Sequence, residues 1–204
     1  MSILTIGHST RTMEDFLGIL SAYGVSGIVD VRTILRSRRN PQFNQDSLSA
    51  SLSESGIDYL LMKHVGGLRH PRSDSPNMGW RNLAFRGFAH YVQTGEFDVA
   101  IDDLIKVAKD RTAAIMCAEI LPWRCHRSLI ADALVVRGIE VDHILTLTNL
   151  RKHTLTKWAR IENMQITYPR VDLVVPSKKK EFGHFSNVGQ LGSTRRRTVK
   201  PLPS

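Results

Sequence analysis

Cysteine is scarce in this sequence. The 204-residue chain contains two cysteines, Cys117 and Cys125, and both lie in the same short segment. Small secreted domains that depend on disulfides carry more cysteines, spaced along the whole chain. The count therefore argues against a disulfide framework, and we expect both thiols to be reduced.

Long apolar runs are also absent. No stretch approaches the roughly 20 apolar residues that span a bilayer. The first residues, MSILTIGHST, have neither the basic segment nor the apolar core of a signal peptide. We therefore expect a cytoplasmic protein without membrane contact, and 42% hydrophobic residues are enough for one full core.

Acidic residues are few relative to basic ones, 19 against 28, and the formal net charge is +9. Residues 176–204 hold seven Lys or Arg against one Glu, which gives +6 and leaves +3 for the remainder.

We predict a single α/β domain over residues 1–170 and a basic, flexible tail over residues 171–204. Such a tail suits nucleic acid or another polyanion, since phosphate contacts release counterions. A solvated tail that only aids solubility is the alternative.

Short runs rich in Ile and Val alternate with stretches of helical spacing, a pattern typical of a parallel sheet covered by helices. The runs predict strands at residues 3–6, 27–31, 58–61, 112–117 and 140–145. The expected fold is an α/β three-layer sandwich, with a mainly parallel sheet of about five strands and helices on both faces.

Helix signals separate these strands. Thr12 and Asp15 form a capping pair for a first helix, which Gly24 ends. The helical period predicts further helices at residues 46–55, 85–92 and 97–108. Another helix is predicted to begin at Pro122 and to end at Gly138. A last helix is predicted to contain Leu147, Leu150, Leu155 and Trp158.

Residues 64–82 break this regularity with closely spaced Gly and Pro residues. A loop of this length in a compact domain is usually functional or disordered. We interpret it as a lid or substrate-binding loop, with His64, Arg69 and Trp80 as candidate substrate contacts.

Polar residues lie at the C-terminal ends of the predicted strands. His8 and Ser9 follow the first strand, and Asp30 and Arg32 stand at the end of the second. In an open α/β sheet, ligands bind in the crevice beyond the carboxyl ends of the strands. We therefore predict that these residues belong to one pocket.

The densest polar cluster is CAEILPWRCHR, from Cys117 to Arg127. It joins the fourth strand to a helix N-terminus, where backbone N–H groups and the helix dipole favour an anion. Arg32 and Arg127 are predicted to grip a phosphate or carboxylate, with Cys117 and His126 beside it. A salt bridge with Asp30 is the alternative role for Arg32, and a solvated position is the alternative for Arg127.

Four residues are candidates for catalysis. Glu119 follows a buried strand among basic residues and is suited to general acid–base chemistry, and Asp30 is a second carboxylate of this type. Cys125 lies near a helix start among basic residues, where a thiol pKa should fall, although an isolated Cys is usually a small buried hydrophobe. His8 could transfer protons or only orient a neighbour.

A metal site is a weaker reading of the same residues. Conceivable ligands are Cys117, Cys125, His126, His8 and His64. Structural zinc sites need paired Cys or His at short spacing on both sides, which this chain does not have. We therefore expect no metal and no other cofactor.

A set of short motifs resembles one family, that of domain of unknown function 488. The motifs are IGHS at 6–9, DVR at 30–32, GGLR at 66–69, GWRN at 79–82, FRGFAHY at 85–91, MCAE at 116–119 and CHRS at 125–128. The resemblance implies a compact α/β domain with a polar site at these motifs. It implies no particular reaction.

Three hypotheses for function follow. The first is an enzyme of hydrolase or lyase type, with Glu119 as acid–base group, acting on an anionic, phosphate-bearing substrate such as a nucleotide or nucleic acid. The second is a non-catalytic nucleic-acid-binding module that uses the basic tail. The third is a thiol- or metal-dependent sensor. An anionic small molecule or a nucleic acid is the expected partner.

Overall fold

The computed structural model describes residues 1–170. The predicted basic tail, residues 171–204, lies outside the described residues, so the domain division remains a prediction. Within residues 1–170, no helix has the length and apolar character that crossing a membrane requires.

Six strands form one sheet within the described part of the chain, in the order β3-β2-β4-β1-β5-β6. All neighbouring pairs are parallel except β5 with β6. The strands are β1 Ser2–Gly7, β2 Gly27–Asp30, β3 Asp58–Leu61, β4 Ala113–Cys117, β5 Glu140–Thr146 and β6 Asn149–Lys152. The five predicted strands are confirmed to within about a residue at each end.

The five α-helices of the described region cover both faces of this sheet. They are α1 Met13–Ala22, α2 Gln45–Glu54, α3 Leu83–Tyr91, α4 Gly95–Ala108 and α5 Arg127–Val136. The capping prediction for α1 is confirmed, because the Thr12 side chain accepts a hydrogen bond from the Asp15 N–H, and Gly24 ends the helix with a φ of +62°.

Two buried clusters show that the fold has three layers. Alternate residues of β4 point to opposite faces, so Ile115 packs with α3, α4 and α5, whereas Met116 packs with α1 and α2. This alternation follows from the two-residue period of a strand. The predicted three-layer α/β sandwich is thereby confirmed.

The prediction of a last helix after residue 145 is wrong. The chain turns back at Thr146 and pairs β6 antiparallel to β5 at the sheet edge. A separate hairpin, β7 Arg160–Glu162 with β8 Gln165–Thr167, follows. All four residues of β6 are exposed, so this strand has no alternation of apolar and polar residues from which it could be predicted.

The helix predicted to open at Pro122 begins later. Residues Pro122–Arg124 form a separate 3-10 turn, Cys125 is extended, and α5 starts at Arg127. The extended residue turns the backbone between the two elements. As a result Cys125 and His126 lie beside the end of β4 and not inside a helix.

Candidate functional site

A cavity of about 370 Å³ opens at the carboxyl ends of β2 and β4. In the sheet register Asp30 lies opposite Met116 and Gly7 opposite Cys117, so the residues that follow these strands emerge side by side. The cavity is lined by Arg32, Thr33, Ile34, Gly67, Leu68, Asn82, Ala84, Phe85, Cys117, Ala118, Glu119, Arg124, Cys125 and His126. This is the edge of the sheet at which the sequence predicts a pocket.

Arg32 reaches the cavity, but Asp30 balances its charge. The two side chains form a buried salt bridge with a nitrogen–oxygen distance of 2.6 Å. Arg32 also donates to the Phe43 carbonyl at 2.8 Å, and Tyr59 donates to Asp30 at 2.8 Å. The alternative interpretation of Arg32 as the partner of Asp30 therefore describes its main contacts, and Asp30 has no contact with the cavity.

His8 lies beneath the cavity and holds Arg32. Its Nδ1 lies 2.9 Å from the Ser9 carbonyl and must donate to it, which leaves Nε2 to accept from the Arg32 guanidinium at 3.2 Å. The ring also stacks on Phe43. Burial lowers the pKa of His8 to about 4, so the ring is neutral near pH 7. Both nitrogens are occupied, and this arrangement fits an orienting role and not proton transfer.

Arg127 does not line the cavity, in contrast to the prediction that it grips the substrate. It is 1% exposed, and its guanidinium donates to the Glu119 carbonyl, to the Ile120 carbonyl and to the Thr5 hydroxyl. These bonds satisfy carbonyls of the turn that follows β4. Arg127 therefore positions the segment that carries Glu119.

The predicted anion cradle at the start of α5 is also engaged internally. The Ser128 and Leu129 N–H groups donate to the carbonyls of Cys125 and His126, each at 3.0 Å. These two backbone amides are therefore bonded within the turn and are not free to bind an anion.

Two thiols and an imidazole meet at one side of the cavity. The Cys125 sulfur lies 3.5 Å from His126 Nδ1, and Cys117 completes a group whose ligand atoms all lie within 4.8 Å of one another. Both cysteines, which lie in the described part of the chain, are free. A hydrogen bond from Cys117, with His126 nearby, lowers the pKa of Cys125 well below the usual thiol value. The same bond and burial raise the pKa of Cys117.

Glu119 and Arg124 line a second cleft as well as the cavity. This cleft, of about 400 Å³, also contains Trp80 and Trp123 and shares Asn82 and Phe85 with the cavity. The Glu119 carboxylate accepts a bond from the Leu121 N–H at 3.3 Å and otherwise has no hydrogen-bond partner among the described residues. We refer to the cavity and the cleft together as the groove, and the Glu119 carboxylate and the Arg124 guanidinium belong to residues that line both.

None of the remaining predicted substrate contacts lines the cavity, although Trp80 lines the second cleft. Ser9, with a φ of 49°, bonds through its N–H to Ala118, and His64 is exposed away from the site. Arg69 donates to the His64 carbonyl and lies over the Tyr91 ring. Trp80 packs on Phe85, Trp158 and Tyr168. The loop over residues 64–82 instead reaches the cavity through Gly67, Leu68 and Asn82.

Sequence reasoning missed Arg124 as a site residue. It is exposed in the 3-10 turn that precedes Cys125, and its side chain has no ion-pair or hydrogen-bond partner among residues 1–170. Its position directly before Cys125 in the chain is the sequence feature from which its place in the site could have been predicted. Thr33, Ile34 and Phe85 were also missed, and nothing in their residue types distinguishes them from ordinary loop and core positions.

Fold and cavity together define an α/β sandwich protein with a polar site at the carboxyl edge of a parallel sheet. The chain belongs to the family described as Domain of unknown function DUF488, whose model matches residues 12–134, more than half of the sequence. The comparisons with curated proteins and with solved structures found no match.

Proposed function

We propose that this protein is an enzyme of hydrolase or lyase type that acts on an anionic substrate in the groove. The observation that carries the proposal is that Glu119 and Arg124 line both the cavity and the second cleft. A carboxylate and a cation at the same concave surface can move a proton and hold a charged substrate at the same time.

Arg124 is the group best suited to bind the anion. The Arg32 guanidinium is neutralised by Asp30, whereas Arg124 has no carboxylate partner among the described residues. A guanidinium binds phosphate or carboxylate through paired N–H donors. The anionic part of the substrate is therefore expected at Arg124.

Trp123 supports a nucleotide or nucleic acid as the substrate. Its ring lines the cleft, and 45% of the residue is exposed, whereas Trp80 is covered by other aromatic side chains. Exposed aromatic rings beside a cation are suited to base stacking next to a phosphate. Arg151 already lies over one face of the Trp123 ring, at 5.0 Å from its centre, so a base would stack on the other face.

Glu119 acts as general base and then as general acid in this scheme. In hydrolysis its carboxylate removes a proton from the attacking water and returns it to the leaving group. In elimination it removes a proton from a substrate carbon, the C–H electron pair forms a C=C bond, the bond to the leaving group breaks, and the protonated Glu119 returns the proton to that departing group. Either role requires a carboxylate on the cavity surface, where the substrate can reach it.

The first prediction concerns the Glu119→Gln variant. Incubation of the full chain with nucleoside mono-, di- and triphosphates and short single-stranded oligonucleotides, followed by mass spectrometry, identifies the substrate that is converted. With that substrate, Glu119→Gln should lower kcat by about 100-fold or more, since general acid–base catalysis contributes on the order of 10²–10⁴. The melting temperature should not change, because the side chain makes one weak backbone contact.

Glu54→Gln is the matched control, because Glu54 is exposed at the end of α2 and far along the chain from the groove. It should retain full activity. Equal turnover by Glu119→Gln and the unsubstituted chain would remove Glu119 from the reaction.

A further inference from the structure

Cys117, Cys125 and His126 come from three different local structures and meet at one point. Cys117 ends β4, Cys125 is the extended residue after the 3-10 turn, and His126 caps α5. Their sulfur and nitrogen atoms all lie within 4.8 Å of one another. Neither the family match nor the proposed acid–base chemistry requires such a cluster.

The orientation of His126 is fixed by a backbone contact. Its Nε2 lies 3.2 Å from the Val31 carbonyl oxygen, which can only accept, so Nε2 carries a proton. In the neutral ring the lone pair is then on Nδ1, the atom 3.5 Å from the Cys125 sulfur. A histidine that binds a metal almost always donates its other N–H to a carbonyl or carboxylate in this way.

We propose that Cys117, Cys125 and His126 form a zinc site whose fourth coordination position opens into the cavity. Two sulfurs and one imidazole are ligands that zinc prefers, and three protein ligands with one open position are typical of catalytic zinc. Within residues 1–170, no further Cys, His, Asp or Glu atom joins the group, so water or substrate would occupy the fourth position.

The distances suit this geometry. With Zn–S of about 2.3 Å, Zn–N of about 2.05 Å and tetrahedral angles, the sulfur–nitrogen edge is about 3.6 Å and the sulfur–sulfur edge about 3.8 Å. The Cys125 sulfur and His126 Nδ1 are 3.5 Å apart. The longest separation in the group, at most 4.8 Å, would close by about 1 Å, which a side-chain rotation can supply.

The charge of the site is also balanced. Two thiolates cancel the charge of Zn²⁺, and the three residues line the cavity, which provides an entry path. The sequence prediction of no metal site rested on spacing along the chain. His8 and His64, the other conceivable ligands, do not belong to the cluster.

The absence of a side chain at Gly67 leaves room for the His126 ring. A Cβ atom on Gly67 would lie 2.5 Å from His126 Nδ1 and 2.7 Å from its Cγ. Replacement of this glycine would therefore push the imidazole away from the two sulfurs. This contact offers a way to disturb the site without removing a ligand.

Titration of the reduced, metal-free full chain with Zn²⁺, in competition with a chromophoric chelator, tests the proposal. We expect one Zn²⁺ per chain. Co²⁺ in its place should give thiolate charge-transfer absorption and the visible bands of a tetrahedral ion. Cys117→Ser, Cys125→Ser and His126→Gln should each weaken zinc binding by about 100-fold or more, and Gly67→Ala by about 10-fold or more.

His64→Gln is the control, because His64 is exposed and outside the cluster. It should bind zinc as the unsubstituted chain does. Circular dichroism of each metal-free variant shows whether it is folded. If a variant does not fold, the Co²⁺ spectrum of the unsubstituted chain shows whether two thiolates bind the metal. Absence of thiolate charge-transfer bands, or undiminished zinc binding by the folded serine variants, would overturn the proposal. The readout is metal binding and not turnover, so this result is independent of the enzyme proposal.

Discussion

Individual residues under the cavity hold one another in a fixed arrangement. Asp30 accepts bonds from the Arg32 backbone N–H, the Arg32 guanidinium and Tyr59, and it is fully buried. A buried ion pair is costly to break, because removal of one partner leaves an uncompensated charge. Asp30 and Tyr59 therefore hold Arg32 in place from behind the cavity lining, and Asp30 is not available as a reagent.

Gly7 is where β1 and the turn after β4 come closest. A Cβ on this residue would lie 2.0 Å from the Glu119 carbonyl oxygen and 2.6 Å from the Ile120 Cα. Both are backbone atoms, which cannot move aside as a flexible side chain can. Gly7→Ala should therefore lower the free energy of unfolding by about 1–3 kcal/mol, as measured by urea denaturation.

Gly18→Ala is the control for this prediction. Gly18 is exposed within α1, and nothing lies within 4 Å of the position of its missing Cβ. Alanine should raise the stability there by about 0.5–1 kcal/mol, because glycine is a poor helix former. Equal stability of Gly7→Ala and the unsubstituted chain would contradict the close approach.

The residues of the site could be predicted only in part. Arg32, Cys117, Glu119, Cys125 and His126 all line the cavity, as expected from their positions after strands. The roles of Asp30, His8 and Arg127 could not be separated in advance. Which of several charged neighbours faces a cavity and which faces a buried partner depends on side-chain packing, and spacing along the chain carries no such information.

At the scale of elements, a buried chain of hydrogen bonds connects β1, β5 and α5. His143 lies 2.7 Å from the Thr5 hydroxyl and 2.9 Å from His153, which lies 2.9 Å from Asp132. Tyr168 also donates to Asp132. Since every member comes from a different segment, this network ties the β5–β6 side of the sheet to α5 and to the residue that follows β8.

The network makes stability depend on pH through His143. Burial lowers the pKa of His143 to about 3, and the neighbouring His153, Arg127 and Arg151 act in the same direction while Cys125 opposes them. The unfolded chain therefore takes up this proton near pH 6.5 and the folded chain only near pH 3. Stability should fall as the pH decreases between these values, by about 1.4 kcal/mol per pH unit for this one proton.

Urea denaturation of His143→Gln between pH 4.5 and 7.5 checks this expectation. The variant should be less stable at neutral pH, because it loses the bonds to Thr5 and His153, but its decline in stability with acid should be shallower. His70→Gln, at an exposed position, should keep the original slope. The same slope in both variants would show that His143 is not the titrating group.

Five strands of the sheet, including the edge strand β3, were predictable, and the edge strand β6 was not. The strands β1, β2, β4 and β5 carry Ile and Val runs that pack on both faces, and such runs predict buried parallel strands. The edge strand β6 is exposed along its length. Its pairing with β5 depends on the geometry of the turn between them, and the spacing of apolar residues does not predict that geometry.

At the scale of the whole molecule, the cavity lies inside the part of the chain that defines the family. Every residue lining it falls between Arg32 and His126, and the family model matches residues 12–134. The β5–β6 hairpin lies beyond the match. The groove therefore lies within the matched residues, whereas the β5–β6 hairpin lies outside them.

The proposed function requires that the groove binds an anion through Arg124. Calorimetric titration of adenosine 5′-monophosphate into the unsubstituted chain, Arg124→Gln and Arg39→Gln tests it most directly, because Arg39 is an exposed arginine that does not line the groove. Loss of Arg124 should weaken binding by about 10- to 100-fold, the value of a charge-assisted hydrogen bond, and loss of Arg39 should have no effect. Equal affinities for all three chains would contradict the claim.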